Sequence, residues 1–358
     1  MSWGRLGGDE FAIIQAGEID QRAAATRLAN RIIETMLLPF ELDGNEVTVG
    51  TSIGIVLAPE HANDPDTLLK MADLALYRVK SAGRNGFCFF EPEMSEAAKE
   101  RHALETDLRQ AFKRGELELY YQPIVDVKTR ALCAMEALVR WNHPQKGPIL
   151  PDKFIPLAEE TGLIAQIGEW ALLQACIDAA AWPASIKVAV NLSPVQLARR
   201  GLVETVANSL AISDLPAARL ELEVTETALI DNALHCADIL HKCKNIGVSI
   251  ALDDFGTGYS SLSQLTMFPF DRIKIDRSFT KNMINRSECA AIISATMTLA
   301  HSLDIATTAE GVETVEQFKL LRLAGVRSVQ GELFGRPRRI SDIDLNANYG
   351  DQTIDNAA

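Results

Sequence analysis

Several features that mark common classes of protein are missing from this sequence. No two of its six cysteines form a C-x-x-C pair, which excludes the usual zinc-knuckle and dithiol redox motifs. No apolar run approaches the ~20 residues that a membrane span needs, and the N-terminus lacks the apolar stretch of a signal peptide. We therefore expect a cytoplasmic protein with reduced thiols and no membrane segment in this chain, although a longer parent protein could be attached to a membrane.

The sequence also contains fewer basic residues than acidic residues. The chain of 358 residues has 35 Lys and Arg against 48 Asp and Glu, which gives a formal net charge of −13. Such a surface argues against a nucleic acid polymer as partner, because that binding depends on phosphates neutralised by Lys and Arg. Hydrophobic residues make up 47% of the chain and charged residues 23%, a balance that excludes general disorder and predicts a large core.

The larger, second part of the chain alternates short β-rich runs with longer amphipathic stretches. The runs are residues 118–125, 131–140, 186–191, 220–225, 248–253, 272–276, 305–310 and 327–330. Eight strands with helices between most of them, over about 250 residues, predict an α/β fold with a TIM-like (β/α)8 barrel. The alternative, an open doubly wound sheet, would carry a Gly-rich phosphate turn after its first strand, and none follows here.

The first part of the chain has strand signals at residues 11–14, 47–56 and 87–90 and helical patterns at 20–38 and 65–81. Residues 1–6 leave no room for a strand before the Gly7-Gly8 turn, so we expect an incomplete α/β domain. The sequence therefore predicts a partial domain over 1–92, a connecting helix over 93–115, the barrel over 116–345 and a flexible tail over 346–358.

Seven successive runs each carry a polar side chain within the run or at its end. These side chains are Glu136, Asn191, Glu223, Asp253 with Asp254, Lys274, Glu310 and Gln330. The C-terminal ends of barrel strands meet at one mouth, where barrel enzymes hold their active sites. A single strand-end acid is as often a helix cap or a surface ion pair, but seven positions in register favour one shared cavity.

Five carboxylates in one cavity cannot all stay ionised without cations, because neighbouring negative charges raise each other's pKa. Oxygen ligands with one added carboxamide suit Mg²⁺ or Mn²⁺ rather than zinc or copper. In the pair Asp253-Asp254, one carboxylate can bridge two ions while its neighbour serves the second. Two ions about 3.5–4 Å apart would clamp the attacking and leaving oxygens of a phosphoryl displacement. The residues therefore predict a metal-dependent phosphodiesterase.

At these positions the chain resembles EAL domains, the phosphodiesterases that linearise cyclic di-GMP. The signature is EALVRW at residues 136–141. Further motifs follow in the family's order: YYQPIVD (120–126), FIPLAEETGLI (154–164), NLSP (191–194), EVTET (223–227), DDFGTGYSSL (253–262), IKID (273–276), AEGVE (309–313) and QGELFGRP (330–337). The resemblance implies an EAL-type barrel that hydrolyses cyclic di-GMP to linear pGpG in bacterial second-messenger signalling.

The resemblance also implies a role for each site residue. The first metal ion would be bound by Glu136, Asn191, Glu223 and Asp253, and the second by Asp253, Asp254 and Glu310. Lys274 would hold the attacking water, Glu310 would be the general base, and Gln330 would position water or metal. Arg140 would contact a substrate phosphate and Gln122 would help to seat the dinucleotide. Glu226 would tether the DFGTG loop, which in this family couples metal binding to the dimer interface.

The same resemblance implies two ions of Mg²⁺ or Mn²⁺, inhibition by Ca²⁺ with its larger coordination sphere, and a homodimer formed through the barrel. The sequence departs from the family at three positions. Thr307 and Thr308 replace the apolar residues usual before AEGVE, and Glu332 stands where an aromatic residue is common. None is a predicted ligand, but Glu332 adds negative charge near an anionic substrate, so we expect a modest rate.

The first segment resembles the second half of a GGDEF, or diguanylate cyclase, domain in RLGGDEF (5–11) and ADLALYRVKSAGRN (72–85). Its glycine turn would present Asp9 and Glu10 to a ligand or metal. Lys80 and Arg84 would lie one helical turn apart, which suits either phosphates or a solvated helix face. The family also needs upstream strands that are not in this chain. We therefore expect a degenerate nucleotide site without cyclase activity.

Two main hypotheses for function stay open from the sequence. The chain is an active cyclic di-GMP phosphodiesterase, or it is a catalytically weak or inactive receptor for the same ligand. A receptor would usually have lost Glu136, one of the Asp pair, or Glu310, and all of them are present. That completeness favours the enzyme. A protein with both activities is a third hypothesis, which the incomplete first segment argues against.

Overall fold

The computed structural model describes residues 1–16, 20–42, 44–229, 232–257 and 262–349, with the side chains of 262–264 excepted. Two units divide the chain, Met1–Thr106 and Asp107–Ala358, and their boundary falls inside the helix Pro92–Arg114. Gly258 of the predicted loop and residues 350–358 of the predicted tail lie outside the described residues.

The first unit has three helices and six strands among its described residues. In chain order these are β1 (Ser2–Gly7), β2 (Glu10–Ile14), α1 (Gln21–Met36), β3 (Phe40–Leu42), β4 (Asn45–Val47), β5 (Ile53–Ile55), α2 (Pro65–Ser81), β6 (Phe87–Phe89) and α3 (Pro92–Arg114). Asp20 and Asp64 begin α1 and α2, because each carboxylate accepts a backbone N–H bond from the first turn. β5 and β6 pair in parallel beside a small core of Ala75, Phe90 and Met94.

β1 and β2 form an antiparallel hairpin in which nearly every side chain is exposed. The expectation that no strand precedes Gly7 is wrong. Gly8 adopts a φ of 50°, so the chain reverses within two residues and Ser2–Gly7 pairs directly with β2.

The second unit has nine strands in the residues that the structure describes. They are β7 (Leu117–Asp126), β8 (Leu132–His143), β9 (Gly147–Ile149), β10 (Lys187–Leu192), β11 (Leu220–Thr225), β12 (Ser249–Phe255), β13 (Arg272–Ile275), β14 (Ala306–Ala309) and β15 (Ser328–Gln330). Eight of them close into a ring, because β8 pairs with β10 and β15 pairs with β7, while β9 extends β8 outside the ring. The predicted eight-stranded α/β barrel is confirmed.

One strand of the barrel departs from the TIM arrangement. β7 runs antiparallel to both of its neighbours, whereas the other six pairings in the ring are parallel. A short turn joins β7 to β8 in place of a helix. Asp126 stabilises that turn, because its Oδ1 accepts hydrogen bonds from the backbone N–H groups of Lys128 and Thr129.

Helices cover the outside of the barrel. They are α4 (Pro151–Thr161), α5 (Ile164–Ala180), α6 (Pro194–Ala198), α7 (Leu202–Ser213), α8 (Ala233–Ile246), α9 (Leu262–Met267), α10 (Arg277–Asn282), α11 (Ser287–Ser302) and α12 (Val315–Leu323), with 3-10 turns at Ala217–Arg219, Glu226–Leu229 and Ile340–Asp342. Within the described part of the chain, no helix has both the length and the apolar character to cross a bilayer.

The alternation of side chains along each barrel strand separates the core from the site. In β11, Leu220, Leu222 and Val224 are buried in the hydrophobic core, while Glu221 and Glu223 lie on the opposite face. Because side chains alternate between the two faces of a strand, that second face points into the barrel. The same two-residue period brings the acids and amides of the other strands to the barrel interior.

Candidate active site

The structure brings the eight strand-end side chains together at one mouth of the barrel. Contacts or short distances link Glu136, Asn191, Glu223, Asp253, Asp254, Lys274, Glu310 and Gln330. Asn191, Glu223 and Gln330 lie at or near the C-terminal ends of their strands, and Glu310 directly follows β14. Glu136 lies in the middle of the longer strand β8. These side chains, which the sequence predicted to lie near one another, thus form one cluster.

Lys274 is at the centre of this cluster and is fully buried. Its Nζ lies 2.8 Å from Glu223, 2.7 Å from Glu310 and 3.2 Å from Asp253, with Glu136 at 3.7 Å. Burial lowers the pKa of the amine, but the four carboxylates outweigh burial and hold the pKa of Lys274 well above its usual range. The side chain is therefore an ammonium ion at neutral pH.

Two amide side chains hold Glu136 in place. Asn191 Nδ2 donates to Glu136 Oε1 at 2.7 Å, and Gln330 Nε2 donates to Glu136 Oε2 at 2.6 Å. Burial raises the pKa of Glu136, but Lys274 and the two amides outweigh burial and leave the pKa below its ordinary value. Gln330 Nε2 also donates to Gln122 Oε1 at 3.0 Å, and Gln122 in turn donates to the carbonyl of Gly335. Gln122 therefore borders the site from β7.

Asp253 and Asp254 are adjacent, yet both contribute to the same cluster. Neighbouring residues of a regular strand point to opposite faces. Here the register with β13 shifts between Leu252 and Phe255, and Asp254 adopts a φ of 55°. This β-bulge turns the second carboxylate back towards the first. Carboxylate oxygens of Asp253, Asp254 and Glu310 consequently lie within 4.8 Å of one another.

Crowding and burial raise the pKa of three carboxyl groups. Burial is the largest cause for all three groups. For Asp254, burial and then the charge of Asp253 raise the pKa to about 6. Burial raises the pKa of Glu310 to about 8, although Lys274 acts in the opposite direction. The pKa of Glu223 is also held well above its ordinary value by burial. In the absence of metal, the cluster thus retains protons that isolated carboxyl groups would lose.

The donor set fits hard divalent cations. Five carboxylates face one ammonium group, so full ionisation would leave an excess of four negative charges, which two divalent ions would balance. Glu223 Oε1 and Gln330 Oε1 are buried and have no hydrogen-bond partner within the described residues. Every candidate ligand offers oxygen, the atom that Mg²⁺ and Mn²⁺ prefer. Unpaired buried acceptors are costly, so a cation at this position would relieve them.

Glu226 lies beside the loop that follows β12. Its Oε2 accepts a hydrogen bond of 3.3 Å from the backbone N–H of Gly256, and its Oε1 is buried without a partner in the described ranges. Gly256 has a φ of 96°, and an added Cβ would lie 2.8 Å from the ring of Phe279. The turn therefore requires glycine, and the geometry is compatible with the predicted tether.

Arg140 lies four residues after Glu136 on the same face of β8, at the edge of the cluster. Its guanidinium is half-buried, stands 5.7 Å from the centre of the Tyr120 ring, and donates to the carbonyl of Val139. Burial lowers the pKa of Arg140, and the charge of Glu136 opposes that change. Among the described residues the other N–H groups of the guanidinium have no hydrogen-bond acceptor, so they could bind an anion at the mouth.

Asp276 is a neighbour of the site that the sequence interpretation missed. It caps α10 by accepting the backbone N–H of Ser278 at 2.9 Å, and its charge helps to raise the pKa of Asp254. The sequence did carry a signal for this residue, because Asp276 closes the IKID run in the same way that Asp253 closes its own run.

Glu332 was expected to repel an anionic substrate. It forms an ion pair of 2.6 Å with Arg336, which offsets its charge.

The acidic motif of the first unit has a different environment. Asp9 and Glu10 are exposed at the tip of the β1–β2 hairpin, and Lys80 Nζ lies 3.9 Å from Glu10. Helix α2 ends at Ser81, and Arg84 adopts a φ of 64°. The expected helical spacing of Lys80 and Arg84 is therefore wrong, because the glycine after the helix ends the regular turn before Arg84.

Comparison with known families identifies the second unit. Residues 105–337 match the sequence profile of the EAL domain. The chain belongs to the EAL domain family. Residues 2–86 match the profile described as diguanylate cyclase, GGDEF domain, so a GGDEF-type segment precedes the EAL domain.

Individual relatives agree with this assignment. An uncharacterized signaling protein of Caulobacter vibrioides is 45% identical over 347 residues, which are 97% of this chain and 43% of that protein. The bifunctional diguanylate cyclase/cyclic di-GMP phosphodiesterase MucR of Pseudomonas aeruginosa is 44% identical over 337 residues, 93% of this chain and 49% of that protein. The chain thus spans less than half the length of either relative.

A solved structure supports the fold of the EAL domain. The MucR phosphodiesterase in complex with c-di-GMP superimposes with a TM-score of 0.65 at 45% sequence identity, covering 67% of this chain and 99% of that one. The superposition thus takes in nearly the whole of that solved chain and about two thirds of this one.

Proposed function

We propose that this chain is a metal-dependent phosphodiesterase that hydrolyses cyclic di-GMP to linear pGpG in bacterial second-messenger signalling. One observation carries the proposal: five carboxylates, two amides and a buried ammonium group meet at the mouth of an EAL barrel. MucR, which matches 93% of this chain, is named as a bifunctional diguanylate cyclase/cyclic di-GMP phosphodiesterase, and the solved structure of its phosphodiesterase is a c-di-GMP complex.

Two ions of Mg²⁺ or Mn²⁺ are the proposed cofactors. The first would be held by Glu136, Asn191, Glu223 and Asp253, and the second by Asp253, Asp254 and Glu310. When bound, such ions neutralise developing charge on phosphate oxygens and lower the pKa of water. Two observations support this assignment. Glu223 Oε1 is buried without a hydrogen-bond partner among the described residues, and carboxylate oxygens of Asp253, Asp254 and Glu310 lie within 4.8 Å of one another.

Glu310 is the proposed general base. Burial raises its pKa to about 8 in the metal-free protein, and a bound divalent cation would lower that pKa, so the carboxylate would be ionised and able to accept a proton. Lys274 fixes one oxygen of Glu310 at 2.7 Å and so orients the carboxylate. In the reaction, water attacks phosphorus, Glu310 accepts a proton of that water, and the bond from phosphorus to the 3′ oxygen breaks. The departing 3′ oxygen takes up a proton from solvent and becomes a hydroxyl, and the proton on Glu310 returns to solvent. One phosphodiester opens and pGpG results.

Substrate contacts are proposed for three further residues. Arg140 offers a planar donor fork for a phosphate at the edge of the metal cluster. Gln330 and Gln122 form a continuous amide pair that ends against Glu136 on one side and the Gly335 carbonyl on the other. That pair would fix where the dinucleotide sits relative to the carboxylates.

The proposal includes regulation of the metal site by the loop after β12, by dimerisation and by Ca²⁺. Glu226 would couple the loop after β12 to the metal site, since that loop follows Asp253 and Asp254 at the end of β12 and is bonded to Glu226 through Gly256. A homodimer through the barrel and inhibition by Ca²⁺, which takes more ligands at longer distances than Mg²⁺, belong to the proposal.

The test is direct. Purified protein with Mn²⁺ or Mg²⁺ should convert cyclic di-GMP to pGpG, followed by chromatography and mass spectrometry, and EDTA or excess Ca²⁺ should stop the conversion. Glu310→Gln should bind cyclic di-GMP without turnover. If the native chain binds cyclic di-GMP tightly but yields no product under any metal condition, the protein is a receptor for this ligand and not an enzyme.

A further inference from the structure

A second polar layer lies inside the barrel, directly beneath the site residues. On four strands, the residue two positions before a site residue is also polar. Glu221 precedes Glu223, Arg272 precedes Lys274, Thr308 precedes Glu310, and Ser328 precedes Gln330. Side chains two apart on a strand share a face, and they are separated by about 6.6 Å along the strand. The interior of a TIM barrel is ordinarily filled by branched apolar residues at this level.

Arg272 connects this layer across four strands. Its Nε donates to both carboxylate oxygens of Glu221, at 2.9 and 3.1 Å. Its Nη1 donates to Thr308 Oγ1 at 3.1 Å and to Ser328 Oγ at 2.9 Å. The two hydroxyls are themselves 2.8 Å apart. One guanidinium on β13 thus contacts β11 on one side and both β14 and β15 on the other.

The partners of Arg272 are fully desolvated. Glu221 is 2% exposed, Ser328 is 1% exposed and Thr308 is inaccessible. On three of the remaining strands the same level holds Ala134, Ala189 and Ala251, whose small buried side chains leave room for the guanidinium. A buried ion pair carries a large desolvation cost that is recovered only when its remaining donors are satisfied. Apolar side chains would fill this space at lower cost, so the layer has a purpose besides stability.

We propose that Arg272 is a positioning residue for the active site. By bonding Glu221, Thr308 and Ser328, it fixes the relative placement of the four strands that carry Glu223, Lys274, Glu310 and Gln330. The proposal rests on the proposed phosphodiesterase function. It also accounts for one departure from the EAL pattern, because Thr308 supplies an acceptor that the apolar residue usual at this position would lack.

The decisive variant removes the whole ion pair at once. Glu221→Leu combined with Arg272→Met leaves no unpaired buried charge, and such replacements often keep or raise stability. We expect native thermal stability, a kcat for cyclic di-GMP lowered by about tenfold to a hundredfold, and little change in KM, because small misplacements of catalytic groups have effects of this size. Mn²⁺ affinity, measured by calorimetry, should fall as the carboxylates lose their relative placement.

Two further variants separate positioning from folding. Arg272→Lys keeps a charge opposite Glu221 but cannot reach three partners at once, so its kcat should lie between those of the double variant and the native protein. Arg219→Met is the matched control. Arg219 is buried and donates to the carbonyls of Ala179, Pro183 and Ile186, outside the barrel interior. It should lower the melting temperature and leave kcat and Mn²⁺ affinity unchanged.

The outcomes are distinct. Native kcat and native Mn²⁺ affinity in the double variant would overturn the role of Arg272. An inactive native chain would overturn the proposed phosphodiesterase, while Mn²⁺ titration of the same proteins would still decide the positioning role. If the double variant does not fold, Thr308→Val with Ser328→Ala removes two acceptors and keeps the ion pair. The same loss of kcat and Mn²⁺ affinity is then required.

Discussion

Both units of the chain present acidic residues where the backbone turns, but they do so in opposite surroundings. Asp9 and Glu10 stand at the exposed tip of a two-stranded hairpin whose apolar residues, including Trp3 and Phe11, also face solvent. Glu223 and Asp253 lie at the ends of strands that are buried on both faces, with a hydrophobic core outside and polar partners inside.

The difference shows what converts an acidic motif into a reactive site. Carboxylates in water interact weakly, whereas carboxylates held together away from water alter each other's pKa and demand cations. The closed barrel provides that environment. The exposed hairpin among the described residues of the first unit does not, although its motif is equally recognisable in the sequence.

Matched substitutions in the two acidic sites should give the largest contrast. Glu310→Gln removes the proposed base and should lower kcat for cyclic di-GMP by about 10²–10⁴-fold. Glu10→Gln makes the same chemical change on the exposed hairpin and should leave that kcat unaltered. Steady-state hydrolysis assays with Mn²⁺ measure both, and equal losses in the two variants would erase the distinction between the units.

The same contrast should hold for stability. Phe154 is fully buried and packs edge-to-face on Trp141, with ring centres 5.8 Å apart. Phe154→Ala should destabilise the barrel by about 3–5 kcal/mol. Phe11 is 59% exposed, so Phe11→Ala should change stability by less than about 0.5 kcal/mol. Calorimetric unfolding tests this, and a large effect of Phe11→Ala would reveal packing of the hairpin that the described residues lack.

Metal-free protein should show a pH dependence of stability that originates in the barrel. The folded pKa of Glu310, about 8, exceeds its ordinary value of 4.5, so the folded state holds more protons between these values. Stability should therefore fall as pH rises from about 4.5 to 8. The melting temperature in EDTA measures this trend, and Glu310→Gln should weaken it, leaving the contributions of Asp254 and Glu223, whose pKa values are also raised. A melting temperature that rises over this range would contradict the buried environment of Glu310.

The smallest effect is expected for the ion pair of the first unit. Lys80 and Glu10 are 3.9 Å apart and about half exposed, at 46% and 57%. Lys80→Ala should therefore change the free energy of unfolding by less than about 1 kcal/mol. A loss of several kcal/mol, measured by the same calorimetry, would assign this pair a structural role comparable to that of Lys274 in the barrel.

Much of the barrel was predictable because hydrophobic periodicity records burial. The run at 220–225 coincides with β11, and the other predicted strands differ by a few residues at their ends. The residues of the candidate site were predicted from the polar side chains that lie within or close these runs. The direction of β7 was not predictable, because alternation is the same in parallel and antiparallel strands and only pairing distinguishes them.

Two features of the site also lay beyond sequence patterns. The sequence predicted that Asp253 and Asp254 lie in the same site, but it did not predict the β-bulge that turns both towards the cluster, because a bulge depends on backbone pairing with β13. Thr308 looked like a departure from the family pattern. Its role as an acceptor for Arg272 emerges when residues 36 positions apart are brought into hydrogen-bond contact.

The left-handed backbone at Asp254 limits which residues evolution or an engineer can place there. Asparagine and glycine tolerate that conformation, whereas a β-branched side chain clashes with its own backbone. Neutral drift away from catalysis would therefore pass most easily through Asn or Gly at position 254. A substitution at position 254 can thus remove the negative charge without changing the shape of the loop. It offers a route to a form of the domain that binds its ligand without catalysis and keeps its fold.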